Sequence, residues 1–390
     1  MAGSVFDVEV SREGTGALAL DREGHGLPPD AVPLWVADMA FPAPPAVREA
    51  LAERVRHGIF GYSIPTDAYW RAVGGWFQRR HGWAPDPALA VLTRGLVHAI
   101  YLALSALTQP GAGVIIQPPV YPPFFEAVRA TGRRLLENPL VEGPGGYEID
   151  FDQFEALAAG AEAFILCSPH NPVGRVWSRA ELERLAAICL RHGVLIISDE
   201  VHADFVHPGA RHLVTAALDP AVAAVTVTCT APSKTFNLAG LQLANVFAPD
   251  AAARARLIAA YAAQGLSQHP AAGLVACEAA YGGACDAWVD DLVAYLGANL
   301  ALIGERAAGG GLPGVVFRPP QGTYLAWLDF RGLGLDTAGL RRLVVERARL
   351  WLSPGESFGA SGAGFQRLNA AVSRAVLARA LDQLAGALAP

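Results

Sequence analysis

A chain of 390 residues corresponds to two or three domains at about 150 residues each, and a hydrophobic share of 52% supplies large cores, so disorder is excluded as its main state. Thirty basic against 36 acidic residues leave a net charge of −6 with no long run of either sign, which argues against nucleic acid or an anionic membrane as a partner. The expected partner is a small molecule or another protein. The most apolar stretch, 89–107, is interrupted by Arg94 and His98, and the N-terminal region lacks a basic segment followed by an apolar one. The five cysteines (Cys167, Cys189, Cys229, Cys277 and Cys285) are scattered and never two residues apart, favouring buried thiols in a reducing cytoplasm over disulfides or a metal site.

The basic residues comprise 29 arginines and a single lysine, Lys234. A guanidinium stays protonated at any physiological pH, whereas a desolvated ammonium can give up its proton and become a nucleophile or Schiff-base partner. Composition alone leaves open whether Lys234 is a surface residue or the one position at which arginine would not serve.

In chain order, a polar, glycine-rich start leads into a proline-rich crossing segment, 31–45, carrying Leu34-Trp-Val-Ala-Asp-Met39. From about Val47 to Val246, helical windows alternate with β-rich runs at 113–117, 163–167, 194–198, 224–228 and 243–247. Each run is apolar at nearly every position, as expected for a mainly parallel sheet covered on both faces. Between the second and third runs, Ser178 and Glu181 have capping-box spacing. Leu182, Leu185, Ile188 and Cys189 then recur at helical spacing up to a stop at Gly193. Residues 251–306 read as alanine-rich helix suited to a connector between domains. The remainder mixes strands near 315–317 and 324–327 with helices, the last after Ser373. The expected fold is α/β: a large domain, 47–285, with a mainly parallel sheet flanked by helices, and a smaller α+β domain, 286–390, joined by the N-terminal segment 1–46.

Open α/β sheets bind ligands beyond the carboxyl ends of their strands. Here the strand ends carry Tyr121 after two prolines, Ser168-Pro-His-Asn171-Pro172, Asp199-Glu-Val-His202, and the pair Ser233-Lys234. Singly, each has an ordinary structural explanation, as packing, a turn or a helix cap. Jointly they offer what a pyridoxal phosphate ring requires: a stacking face, an amide for its phenolic oxygen, a carboxylate for its ring nitrogen and an amine for its aldehyde.

The chain resembles the fold-type-I pyridoxal-phosphate enzymes of the aspartate aminotransferase superfamily, and within them the MalY/PatB branch of cystathionine β-lyases and cysteine-conjugate C–S lyases. The resemblance is carried by residues 34–39, Gly61-Tyr-Ser-Ile-Pro65, 117–121, Ser168 to Trp177, Ser198 to Asp204, Ala231 to Gln242, Gly322-Thr-Tyr-Leu325 and Phe365-Gln-Arg-Leu-Asn369. It implies β-elimination of a thiol from cystathionine or another cysteine S-conjugate, leaving pyruvate and ammonia. It implies a homodimer with shared sites. Lys234 would hold the cofactor and move the substrate α-proton, with Asp199 at the ring nitrogen, Tyr121 stacked on the ring, and Asn171 and His202 beside it. The phosphate would meet Ser233, the backbone amides of Gly95, Leu96 and Val97, and Tyr62 from a second subunit. Arg367 would clamp the α-carboxylate, with Trp35, Asp38, Met39 and Asn171 also at the substrate. Tyr121 or Tyr62 would protonate the leaving sulfur.

Five positions depart from that branch, Ala40, His98, Ser168, His207 and Gln321, and some of them are expected at the substrate mouth of a member specialised for a larger conjugate. Gln242 also stands where many aminotransferases place an arginine, leaving the phosphate less completely neutralised. Competing readings are an aminotransferase, decarboxylation-coupled oxidative deamination on the same fold, and a non-enzymatic binding protein.

Overall fold

The computed structural model describes residues 4–143 and 145–389. Its main sheet has seven strands: β1 (Ala90–Thr93), β2 (Gly113–Ile116), β3 (Arg134–Glu137), β4 (Ala161–Cys167), β5 (Leu195–Asp199), β6 (Thr226–Thr230) and β7 (Ala244–Phe247). Their spatial order is β1-β7-β6-β5-β4-β2-β3, with β7 antiparallel to both of its neighbours and every other pairing parallel. The period of two along each strand splits the core cleanly. Val114, Ile116, Ile165, Ile197 and Val227 enter one apolar layer with the helix α1 (Leu96–Leu107). Ile115, Phe164, Leu166 and Ile196 enter the opposite layer with α2 (Arg179–His192). Burial on both faces explains the unbroken apolar runs.

A second, antiparallel sheet is formed by β8 (Val316–Phe317), β9 (Leu325–Asp329), β10 (Ser353–Pro354) and β11 (Phe365–Asn369), in the order β8-β9-β11-β10. Its core takes Ala326, Leu328 and Leu368 from the sheet, Leu300 and Ile303 from α3 (Asp286–Ala308), and Leu377, Leu381 and Leu384 from α4 (Arg374–Leu388). Leu34 packs into the same cluster, and Val32–Pro33 pairs in parallel with Leu350–Trp351, tying the N-terminal crossing segment to this sheet.

The elements differ from the sequence expectation in three places. The apolar stretch 89–107 is two elements, β1 and α1, separated by Arg94-Gly95 with Gly95 at φ 81°. The edge strand β3 escapes the apolar pattern because Arg134 and Glu137 bracket only two apolar residues, a charged arrangement suited to an exposed edge. The region 251–306 is three helices, Ala251–Ala263, Ala271–Tyr281 and α3, broken at Gly265 to Pro270 and at Gly282-Gly283. Of these, α3 is long and apolar enough by composition to cross a membrane, but Val289, Leu292, Leu296, Leu300 and Ile303 bury one face inside the protein.

All five cysteines are buried and free. The capping box at α2 forms as the spacing predicts: Ser178 Oγ accepts from the Glu181 amide at 3.3 Å, and Glu181 Oε2 accepts from the Ser178 amide at 2.8 Å. Gly193 closes the helix in the left-handed region at φ 66°. Replacing Ser178 by Ala removes one of the two reciprocal bonds, and urea denaturation should show a loss of about 1 kcal/mol.

Candidate active site

The sheet register fixes the base of the site. Cys167, Asp199 and Cys229 are neighbours across β4, β5 and β6, so the Asp199 carboxylate lies between two buried thiols. Burial raises its pKa from 3.8 to about 7; the Val201 amide, donating to Oδ1 at 3.1 Å, and the Lys234 charge pull the other way. Lys234 follows β6 on the turn after Thr230. Its ammonium falls from 10.5 to about 8, chiefly by burial and then by the Arg367 charge, against the opposing pull of Asp38 and Asp199. Nζ donates to the Ala37 carbonyl at 2.7 Å, and the buried Tyr324 hydroxyl donates to the same oxygen at 2.9 Å.

Around these groups lies an inner chamber of about 220 Å³. Asn171, Tyr121, His202 and Ser233 line it, as do Gly95, Leu96 and Val97 at the start of α1, so the carboxyl ends of β1, β2, β4, β5 and β6 converge on one space. The left-handed Gly95 lets the chain turn into α1 close to Gln242; a Cβ there would come within 3.3 Å of Gln242 Oε1. The first amides of α1 lack helical acceptors and face this end of the chamber, an arrangement suited to an anion. Burial holds His202 well below the usual imidazole range, with the Lys234 and Arg367 charges acting in the same direction, and its Nδ1 has no partner among the described residues.

Through Ala37, Tyr121 and Lys234 the inner chamber adjoins an outer one of about 660 Å³, which Arg367 and Trp35 also line. Arg367 is buried; Nη1 donates to Asn171 Oδ1 at 3.1 Å, and Nη2 to the Trp35 carbonyl at 2.6 Å and Ser353 Oγ at 3.2 Å. Nε–H has no partner among the described residues, and burial lowers the guanidinium to about 10.

Of the residues expected at the site, two of the substrate group lie elsewhere. Met39 is packed with Phe6 and Phe41 and lines neither chamber. The Asp38 carboxylate is taken by Arg12, at 3.2 and 2.6 Å, and also lines neither. These residues anchor the crossing segment: Asn237 bridges the Met39 amide and carbonyl, each at 3.0 Å, and Asn369 donates to the Val36 and Asp38 carbonyls at 2.7 and 2.6 Å. Tyr62 is 91% exposed and lies outside both chambers.

None of the five departures lines a chamber either, which corrects the expectation that some sit at the substrate mouth. His98 bonds Gln264 Oε1 at 2.8 Å, His207 bonds the Thr323 carbonyl at 2.7 Å, and Gln321 accepts from the Val176 amide at 3.1 Å. Ala40 packs against the small-sheet core, and the Ser168 amide bonds the Asp199 carbonyl at 2.9 Å. Conversely, three groups at the site carry no distinct sequence signal: Tyr324, Arg94 and the Ala37 carbonyl. A backbone oxygen leaves no residue-type mark, and Tyr324 stands out only as part of the run Gly322 to Leu325.

The two titrating groups make opposite contributions to the stability of the cofactor-free protein. Between pH 3.8 and about 7 the folded state binds more protons at Asp199 than the unfolded chain does, so stability falls as pH rises. Between about 8 and 10.5 the unfolded chain binds more protons at Lys234, so stability rises. Denaturation of Asp199→Asn across the lower window should give a flatter pH profile than that of the parent; an unchanged profile would contradict a buried, elevated carboxyl.

Comparison with known proteins gives a consistent relationship. The aminotransferase class I and II model matches residues 29–384. Cystathionine beta-lyase PatB of Bacillus subtilis is 43% identical, across 98% of this chain and 99% of its own length. Protein MalY of Escherichia coli is 34% identical, across 98% of each chain. The crystal structure of cystalysin from Treponema denticola, which contains pyridoxal 5'-phosphate, superposes with a TM-score of 0.94 at 35% identity over 98% of each chain. With likeness of sequence and of fold both running almost end to end, and the strand ends converging on one half-buried lysine, the chain belongs to the aminotransferase class I and II family.

Proposed function

We propose that the protein is a pyridoxal-phosphate-dependent C–S β-lyase acting on cystathionine or another cysteine S-conjugate. The observation that carries this reading is the placement of Lys234 and Tyr121 on the wall shared by the two chambers, where one amine faces both the space for a cofactor and the space for a substrate. The inner chamber suits the cofactor chemically. It has an amine whose hydrogen bond is to a carbonyl alone, a buried carboxylate opposite, an aromatic wall, and a helix start at the far end. The strong lyase similarities named above favour elimination over amino-group transfer.

Pyridoxal phosphate, when bound, supplies an aldehyde for the substrate amine and a sink for the electron pair left at the α-carbon. Lys234 would attach the cofactor and, once free, would take the α-proton onto Nζ. Burial has brought that amine to about 8, so its free-base form is accessible near neutrality. Asp199 would hold a proton on the ring nitrogen, and the resulting charge pair would offset the cost of burying the carboxylate. Tyr121 would stack on the ring, and Asn171, His202, Ser233 and the amides of Gly95, Leu96 and Val97, all lining the inner chamber, would orient its polar groups. Arg367 receives the α-carboxylate, a task suited to a planar fork of donors. Loss of the α-proton and cleavage of the C–S bond expel the thiolate, which is protonated by Tyr121 or a partner's tyrosine. The three-carbon remainder takes up one water and leaves as pyruvate and ammonium.

The same reading includes a homodimer. Ile59, Phe60, Tyr62 and Ile64 are all exposed, at 65, 66, 91 and 76%, an apolar run suited to burial against a second copy with Tyr62 entering the partner's phosphate end. Five free, buried thiols support a reducing, cytoplasmic setting. Arg94 lines the inner chamber next to Gly95, and its guanidinium has no ion pair among the described residues. It supplies phosphate-neutralising charge that Gln242 does not.

Two measurements test these roles. Loaded protein mixed with L-cystathionine should release thiol and pyruvate over many turnovers with the cofactor spectrum restored. Conversion of the cofactor to its amine form without thiol release would instead identify an aminotransferase. Arg94→Ala should weaken pyridoxal phosphate binding about tenfold, followed by absorbance after dialysis, while leaving the weaker binding of pyridoxal, which lacks the phosphate, little changed.

A further inference from the structure

Once the amino and carboxylate groups of a cysteine conjugate are held at Lys234 and Arg367, what remains to occupy the outer chamber is the group on sulfur. That chamber has about three times the volume of the inner one, 660 against 220 Å³. Its walls are mostly apolar and strongly aromatic. Trp35 and Trp351 stack with centroids 4.4 Å apart and planes 16° from parallel, and the His25 ring packs against both, at 5.2 and 4.8 Å. Leu18, Val344 and Phe358 extend the apolar lining.

The aromatic wall is also fixed in place. Trp35 Nε1 donates to the Ala19 carbonyl at 3.3 Å, and the Trp35 carbonyl accepts from Ser353 Oγ at 3.0 Å and from Arg367 Nη2 at 2.6 Å. One residue thus serves both the stack and the carboxylate clamp, fixing the aromatic wall relative to Arg367 before binding. Besides Lys234 and Arg367, the charged groups lining the chamber are the exposed Arg341 and Glu356, whose Oε1 accepts from Thr337 Oγ1 at 2.7 Å and whose buried Oε2 has no partner among the described residues. An apolar wall of this kind penalises a desolvated ionic substituent and rewards a flat, polarisable one.

We infer that the outer chamber selects cysteine S-conjugates whose sulfur carries an aromatic group, with Trp35 and Trp351 as the specificity-determining residues. The inference rests on the lyase reading above and deepens it by naming the substrate class.

The test compares S-benzyl-L-cysteine, S-methyl-L-cysteine and L-cystathionine with the loaded enzyme, measuring both binding, by spectral titration, and thiol release. S-benzyl-L-cysteine should exceed S-methyl-L-cysteine about 100-fold in kcat/KM and bind more tightly than cystathionine. Trp351→Ala should cut the benzyl-to-methyl ratio about tenfold. Because Trp351 is buried, Leu18→Asp provides a second variant on an exposed wall residue, and it should lower the same ratio in binding and in turnover. Equal affinity for the benzyl and methyl conjugates, tighter binding of cystathionine, or a ratio unmoved by both variants would overturn the inference. A benzyl preference in binding with no thiol released from any conjugate would uphold the chamber's selectivity and overturn the lyase reading instead.

Discussion

A carboxylate and an amine that water cannot fully solvate face the same small chamber, and much of the structure serves to keep them there. Asp199 is the last residue of a central strand, flanked in register by Cys167 and Cys229, so neither neighbour offers it a strong donor. Lys234 has a single carbonyl for company. Burial displaces both groups toward neutrality, by opposite routes, to about 7 and about 8. Such a site is costly to the folded chain when empty, and a ligand that provides a protonated ring nitrogen and an aldehyde relieves both strains together.

The crossing segment 34–39 turns this base into a two-chambered site. It belongs to the small-sheet core through Leu34, yet its carbonyls reach the site: Ala37 holds Lys234 and Tyr324, and Trp35 holds Arg367. Asn237, three residues after the lysine, grips the segment from the other side at Met39 and Phe41. The Lys234 wall of the inner chamber, the Arg367 guanidinium and the outer chamber are therefore connected through one stretch of backbone.

Much of this is legible from the residues. The parallel strands announce themselves because both faces are buried, and the residues just beyond them are the ones found around the inner chamber. Lys234 stands out by composition alone, as the solitary lysine among 29 arginines. Less legible are elements defined by context: β1 merges with α1 into one apolar stretch because only Arg94 and the left-handed Gly95 separate them, and β3 has too few apolar residues to register as a strand. Within the crossing segment, adjacency groups Asp38 and Met39 with Trp35. The chain bends at residues 36–38, however, and Asp38 and Met39 face Arg12 and the Phe6 cluster instead of the chambers. The five departures mislead for a related reason: sequence difference marks neither depth nor direction, and all five bond or pack outside the chambers.

The central claim is that Lys234 carries the cofactor, and the composition makes it unusually direct to test because the chain has no other lysine. Borohydride reduction of the pyridoxal-phosphate-loaded protein, followed by peptide mass spectrometry, should place one pyridoxyl adduct on the peptide containing Lys234. An adduct confined to the α-amino group, or none at all in protein that retains bound cofactor and thiol-releasing activity, would contradict the account.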